Sequence, residues 1–437
     1  MATIGQDFPM SRQARKDKLA QIKEGKPIST AKVPGKGAMP VHSIPLEYLS
    51  YNPYNTRFLA QAKTLERRFG EELSDEKAEH VLEIEKFIWN EKEDRNRDTI
   101  DSLIKNKQLQ PGVVTADGII LAGNRRFRLL NEIARNPDKY RSPKAGLDGL
   151  ECFEAVILDE EELDKKAIVK YESFYQFGIE DKVEYDPIQK YIAADRDKRL
   201  GFTEQEIADN FLTLTKGKKR EVEKWLSVFE IMNEYLEYIE EEGIYTALKG
   251  REEAFLQLQA LLKSYSGSKS GSVAWAYNEF DLADLKLKFF NYIRLNTPTH
   301  DFRIFKDIFS DEVQWKNFNK SASEIVESDE NQLESFDAYR SKYDEDESTI
   351  STIRQNDYAD KVKKDLNRLY GVENARIQSK KAQEKPLDIL KSIQQKLSKL
   401  EEDMSDNPNK DTFETDEFFE AVQDILKRIG RIKKQVD

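Results

Sequence analysis

Residues 108–135 read QLQPGVVTADGIILAGNRRFRLLNEIAR. Two short apolar runs flank Asp117-Gly118, a dipeptide that reaches positive φ easily and is the strongest short signal for a β-hairpin. The second run ends at Gly123, and Phe127, Leu130, Ile133 and Ala134 then recur at helical spacing, so a helix begins with no intervening loop. A strand feeding directly into a helix leaves the first helical N–H groups unpaired at the sheet edge, where the positive end of the helix dipole favours an anion. Gly123 has no Cβ to obstruct a ligand there. Arg125 and Arg126 occupy the first turn, where cations are disfavoured by roughly 0.3–1 kcal/mol. A compensating phosphate is one reading of the pair; a solvated face or salt bridges to carboxylates is the other. Helical phase puts Arg126 inward with Leu130 and Ile133, and Arg128 toward solvent with Asn131 and Arg135.

Working outward, residues 41–178 form an α+β pattern. Val41, Ile44, Leu46 and Leu49 suggest a short strand and turn leading to Asn52-Pro53. A charged section, residues 58–98, carries Val81, Ile84, Ile88 and Trp89 at helical spacing. TIDSLIKNK then starts with Thr99 in N-cap position. CFEAVIL (152–158) reads as a strand with Cys152 buried in it, and DEEELDKKAIVKYESFYQF (159–177) as a helix. The first 40 residues concentrate lysine and arginine among small residues and read as a basic flexible arm. Residues 179–265 are helical, SGSKSGS (266–272) is a flexible break, 273–320 are helical and aromatic-rich, and 321–347 form an acidic linker. In residues 348–437, Leu390, Ile393, Leu397, Leu400 and Met404, and then Phe418, Val422, Ile425, Ile429, Ile432 and Val436, alternate at three and four around DNPNKD (406–411). Two such helices form a hairpin whose apolar seam is closed either within the chain or by a second copy.

Bulk composition narrows the chemistry. A chain of 437 residues is too long for one core. The net charge of −12 argues against general adhesion to nucleic acid but leaves room for local basic patches. One cysteine excludes an internal disulfide, and three dispersed histidines give no support to zinc or Cys/His chemistry. No stretch approaches the roughly 20 apolar residues of a membrane span, and the N-terminus lacks an apolar h-region, so the expectation is a cytoplasmic protein. The sequence contains no GxxxxGK[ST] or GxGxxG fingerprint, so any nucleotide site is of another kind.

FTEQEIADNFLTLTKGKKREVEKWLSVFEIM (202–232) opens on a capping box, Thr203 and Glu206, with Ile207, Ala208 and Phe211 facing inward. After Lys216-Gly217, a second helix is marked by Val222, Trp225, Leu226 and Phe229. Lys218, Lys219, Arg220 and Lys224 at its start are the candidate DNA contacts of a helix-turn-helix, with Arg220 able to reach a base edge. The spacer is longer than the usual short turn, and a purely structural helical support is the competing reading.

The order of these segments resembles the ParB family of partition proteins. That family carries an N-P-x-Q-P-R box, a hairpin ending in a G-E-R-R box, an E-N-x-Q-R box and then a helix-turn-helix. Here Asn52-Pro53-Tyr54-Asn55-Thr56-Arg57 is similar to the first box and Gly123-Asn124-Arg125-Arg126 to the second, with asparagine in place of glutamate. Glu172-Ser173-Phe174-Tyr175-Gln176 stands where the third belongs. The resemblance implies an α+β N-terminal ParB/sulfiredoxin-like domain with residues 58–98 as an insertion, followed by mostly α-helical domains. It also implies a nucleoid-associated homodimer that binds CTP with Mg²⁺ and closes as a clamp on DNA in plasmid, phage or chromosome maintenance or defence. On this basis Arg57, Gly123, Asn124, Arg125, Arg126 and Ser173 would contact nucleotide, and Glu172 would hold the metal and take any catalytic part in weak NTP hydrolysis. Without the turn's glutamate, hydrolysis should be slow or absent. The same fold serves sulfiredoxins and free-serine kinases; sulfiredoxin chemistry needs a cysteine at the position of Asn124. A small-molecule kinase, a nuclease and an interaction scaffold with a degenerate pocket remain the alternatives.

Overall fold

Alternation of side chains along short strands dictates two covered faces for the sheet. The structure, a computed structural model, describes residues 9–33, 36–91, 93–140, 146–159, 164–173, 186–266, 273, 275–406 and 413–436. Its strands are β1 (Ser29–Val33), β2 (Gly37–Pro45), β3 (Ser50–Tyr51), β4 (Gly112–Val114), β5 (Ile119–Ala122) and β6 (Cys152–Ile157). They lie in the order β1-β2-β6-β4-β5-β3. β1/β2, β2/β6 and β4/β5 are antiparallel, whereas β4/β6 and β3/β5 are parallel. β4 and β5 are the hairpin expected around Asp117-Gly118, with Gly118 at φ +84°. Ile44, Val114, Ile120, Phe153 and Ile157 face one core, and Val41, Val113, Ile119, Leu121 and Val156 face the other.

Helix α1 (Arg12–Glu24) and strand β1 replace the expected basic arm. The physical reason is Arg15, whose side chain is buried rather than solvated. Its Nε donates to the carbonyl of Asp117 at 2.8 Å, its Nη1 to the carbonyl of Met10 at 2.5 Å, and its Nη2 to the buried Asp75 carboxylate. Arg12 reaches the same carboxylate, with Nε 2.9 Å from Oδ1. The helix is thereby clamped to the hairpin turn, and Leu19 enters the core.

The charged section is likewise part of the fold. It forms α2 (Leu59–Phe69) and α3 (Ala78–Asn90) and begins α4 (Glu93–Asn106). Leu65, Ile84, Ile88, Ile100 and Leu103 from these helices complete the larger core against α5 (Asn124–Arg135). Thr99 is therefore interior to α4, its hydroxyl donating to the Arg95 carbonyl at 2.9 Å, and not an N-cap. Cys152 is half-buried at the start of β6.

A short α6 (Pro137–Tyr140) and α7 (Lys165–Ser173) complete the α+β part. Phe174, Tyr175 and Gln176 of the third box lie outside the described residues, as do 267–272 of the expected break and 407–411 of DNPNKD. The helical part continues with α8 (Ile188–Arg199), α9 (Glu204–Asn210), α10 (Leu212–Thr215), α11 (Lys219–Tyr238), α12 (Glu252–Tyr265), α13 (Glu279–Arg294), α14 (Ile304–Phe309) and α15 (Glu312–Glu327). Aromatic side chains fill its core, with Phe289 stacked on Phe302 at 4.2 Å between ring centroids. The expected acidic linker is folded: α15 runs through its start, and α16 (Phe336–Lys342) buries Phe336 and Tyr339 against Ile244 and Ile350. Two anchors spaced among many acidic residues, Phe336 and Tyr339, hold that part of the segment against Ile244 and Ile350.

Helix α17 (Glu347–Asp406) begins in the unit Met1–Leu366. The unit Asn367–Asp437 consists of the remainder of α17, which contains Pro386, and α18 (Asp416–Val436). Leu390, Met404, Ile425, Ile429 and Ile432 of the expected seam are exposed.

The clamp on Asp75 gives a direct test. Asp75→Ala strands the buried Arg15 and should lower stability by about 3–5 kcal/mol in urea unfolding of the full chain. Lys26→Ala, at an exposed position of the same segment, should stay within about 0.5 kcal/mol.

Candidate anion-binding cleft

Helix α5 starts immediately after β5, as read from the sequence, with Gly123 as N-cap at φ +105°. The reason for glycine differs from the expectation of ligand access. A Cβ at Gly123 would lie 2.8 Å from Cζ of Phe153, and one at Gly112 only 2.3 Å from Cε1 of the same ring. Phe153 fills the space beneath both strand ends, so the turn is set by packing in the core.

Above this turn opens a cleft of about 510 Å³, lined by Arg57, Gly123, Asn124, Arg125 and Arg126. The structure thus brings five of the six expected nucleotide contacts together. Sequence reasoning missed Arg95 and Glu91, which also line the cleft, with Gln110. Both lie in the section set aside as an insertion, where Arg95 is diluted among acidic neighbours. Four guanidinium groups against one carboxylate make the cleft strongly electropositive, and its size suits a small organic anion. Burial pulls Arg125 and Arg126 below the ordinary guanidinium value; for Arg125, Glu91 opposes this while Arg57 and Arg95 add to it. An anion bound among them relieves both the desolvation and the mutual repulsion.

Arg125 and Arg126 are held in place. Arg125 Nη2 donates to Asn96 Oδ1 at 3.0 Å, and Arg126 Nη1 donates to the Gln110 carbonyl. Arg128 departs from the expected surface role. Its guanidinium stacks 4.9 Å from the Trp89 ring centroid and pairs with Glu132 at 3.2 Å. Arg135 pairs with Glu85 at 2.6 Å. Helix α3, from the section 58–98, covers the face that helical phase alone had assigned to solvent.

Asn124 is buried and faces the protein. Its Oδ1 accepts from the Asn52 N–H at 3.2 Å, and its Nδ2 donates to the Ile120 carbonyl at 2.8 Å. Glu172 and Ser173 are also buried and are not among the residues lining the cleft. Glu172 Oε1 accepts from the Thr56 N–H at 2.8 Å, and its second oxygen takes the Thr56 hydroxyl. Burial raises its carboxyl pKa, against the opposing pull of Arg196 and the Thr56 hydrogen bonds. Ser173 Oγ accepts from Arg196 Nη2 at 3.1 Å. Arg196 Nη1 in turn donates to the Tyr54 carbonyl at 2.8 Å. Asn124, Glu172 and Arg196 together pin the loop 52–57 that presents Arg57.

The candidate DNA face is a three-helix arrangement of α8, α9 and α11. Ile192, Ile207, Phe211, Val222 and Trp225 form its core. Thr203 and Glu206 make the expected capping box. The long spacer is occupied by α10, followed by Lys216 and Gly217 at φ 53° and 70°. Lys218, Lys219, Arg220 and Lys224 are exposed around the start of α11, with Lys219 paired to Glu223 at 3.3 Å.

Among the described residues no helix is long and apolar enough to cross a membrane, and no group of three or more His, Cys, Asp or Glu is placed to hold a metal ion. Comparison with protein-family models, curated proteins and solved structures returned no match.

The buried Glu172 carries a pH signature. Its pKa is raised above 4.5 on folding, so its ionisation disfavours the folded state as pH rises through 4.5 toward the raised value. Unfolding free energies of wild type minus Glu172→Gln should therefore decline across that window. Glu172→Ala should cost about 1–3 kcal/mol throughout by leaving Thr56 without its acceptor.

Proposed function

We propose that this protein is a ParB-like, DNA-associated, nucleotide-binding clamp that acts as a homodimer, with CTP the favoured nucleotide. The observation that carries the reading is the convergence of Arg57, Arg95, Arg125 and Arg126 on the N-terminus of α5. Guanidinium forks and unpaired helical N–H groups are matched to phosphate oxygens. The residues present fit the phosphate end of a nucleotide. They do not fit Glu172 as a ligand of Mg²⁺, since both of its oxygens are engaged by Thr56; Glu91 is the one carboxylate in the lining.

The same geometry favours holding a nucleotide over turning it over. A general base must come within about 2.6–3.2 Å of the proton it takes. Glu172 is sealed from the cleft, and the Asn124 amide is committed to Asn52 and Ile120. The kinase and nuclease readings lack a carboxylate pair in this cleft, since Glu91 stands alone there.

Titration calorimetry with CTP, ATP, GTP and UTP tests the nucleotide claim. Wild type should bind at least one triphosphate, and Arg126→Ala or Arg57→Ala should weaken it by roughly tenfold or more. Undiminished binding by both variants would sink the reading. DNA affinity belongs in the same series: neutralising Lys218, Lys219, Arg220 and Lys224 should reduce the slope of log K against log[salt] by up to about 4.

The apolar stripe Ile425, Ile429 and Ile432 on α18 is exposed within one chain, and a second copy is the occupant proposed for it. Sedimentation of the full chain should give a dimer, and Ile425→Asp with Ile429→Asp a monomer. A wild-type monomer at tens of micromolar would overturn the assignment.

A further inference from the structure

A separate cavity of about 250 Å³ opens in the helical part, walled by the end of α11 through Glu240, by α13, by the end of α15 with Glu327, by the loop after it and by the first turns of α17. Two of its cations are buried without a counter-ion. Arg294 is 8% exposed, and Lys288 is 6% exposed. Arg294 Nε donates to Gln355 Oε1 at 2.9 Å, and its guanidinium lies 3.5 Å from the Tyr358 ring centroid. Lys288 Nζ donates to Ser323 Oγ at 2.5 Å. Among the described residues, neither has a carboxylate within salt-bridge distance.

Arg354, on the same wall, shows what completed pairing looks like in this region: it meets Glu240 at 2.8 Å and Glu241 at 3.3 Å. A buried cation without such a partner is costly, and the cost falls when an anion enters. Burial draws both Lys288 and Arg294 below their ordinary values, with Asp284 and Glu327 opposing this for Lys288 from a distance. Asn291 also lines the cavity. Its Oδ1 accepts from the hydroxyls of Tyr238 at 2.7 Å and Tyr358 at 3.0 Å, which turns its amide nitrogen away from both rings.

We propose that this cavity is a second anion site, in which Arg294, Lys288 and Asn291 hold the phosphate or carboxylate group of a small metabolite. It is built from different elements than the cleft on α5, and it stands whether or not that cleft binds nucleotide. Glu240 and Glu327 also line the cavity, but Glu240 is paired with Arg354 and, among the described residues, neither carboxylate lies within salt-bridge distance of Lys288 or Arg294, so a compact anion supplies the partner that these two cations lack. The aromatic ring of Tyr358 fixes the guanidinium plane, so little conformational entropy is lost on binding.

The test uses the full chain carrying Arg126→Ala, which weakens the cleft on α5. Inorganic phosphate and malonate are titrated separately at constant ionic strength, by calorimetry and by thermal unfolding. At least one of them should bind with a stoichiometry near one per chain and raise the melting temperature. Adding Arg294→Met or Lys288→Met should weaken that binding by at least about tenfold. A stronger response to phosphate assigns a phosphorylated ligand, and a stronger response to malonate a carboxylate. If Arg294→Met fails to fold, Lys288→Met carries the comparison. Absence of a response to both anions, or a response that survives Lys288→Met undiminished, overturns the proposal.

Discussion

The carboxamide of Asn124 joins two parts of the chain that are 72 residues apart in sequence. One end accepts from the backbone of Asn52 and the other donates to the backbone of Ile120, so this buried side chain extends the β3/β5 pairing and holds loop 52–57 against strand β5. The arginine cleft exists because that loop is held there. Arg57 approaches from one side of the bridge, and Arg125 and Arg126 project from the other. A carboxylate at this position could accept from Asn52 but could not donate to Ile120, and would leave a buried charge facing a carbonyl. The asparagine is thus explained by hydrogen-bond parity in the protein, quite apart from any reaction with a ligand.

Around that bridge, polar side chains hold the backbone where apolar packing is thin. Thr56 is gripped by Glu172, Tyr54 by Arg196, and Ser173 shares Arg196 with Asp197. Such networks are strong in a low-dielectric interior only when every member is satisfied. Arg196 belongs to α8, which also packs into the three-helix arrangement bearing the basic turn. The loop that presents Arg57 and the helix that supports the candidate DNA face therefore share one rigid element.

Much of the α+β core was legible in the sequence because it rests on local rules. The Asp117-Gly118 turn, the strand that runs into α5 and the Thr203 capping box all depend on residues within a few positions of one another. The misread segments depend on distant partners. Residues 12–33 look like a basic tail until Asp75 is placed beside Arg15, 60 positions away. The section 58–98 looks like an insertion until its sparse apolar residues meet α5, and only then does Arg128 become a half-buried partner for Trp89 and Glu132. Phe336 and Tyr339 order a stretch whose composition signals a linker. Of the site, Arg57, Gly123, Arg125 and Arg126 were found by motif and helix geometry. Arg95 was hidden because nothing local to it indicates which wall it will line.

The ring of Phe153 sets a limit on how this cleft can change over generations. With Gly112 and Gly123 both pressed against it, no side chain can be added at either glycine without displacing an aromatic residue from the centre of the sheet. The floor of the cleft is consequently closed to mutational exploration, while Glu91, Arg95 and Gln110 stand on a wall made by helix and loop. Change in the lining is tolerated on that wall, while the turn at Gly123 stays fixed by Phe153.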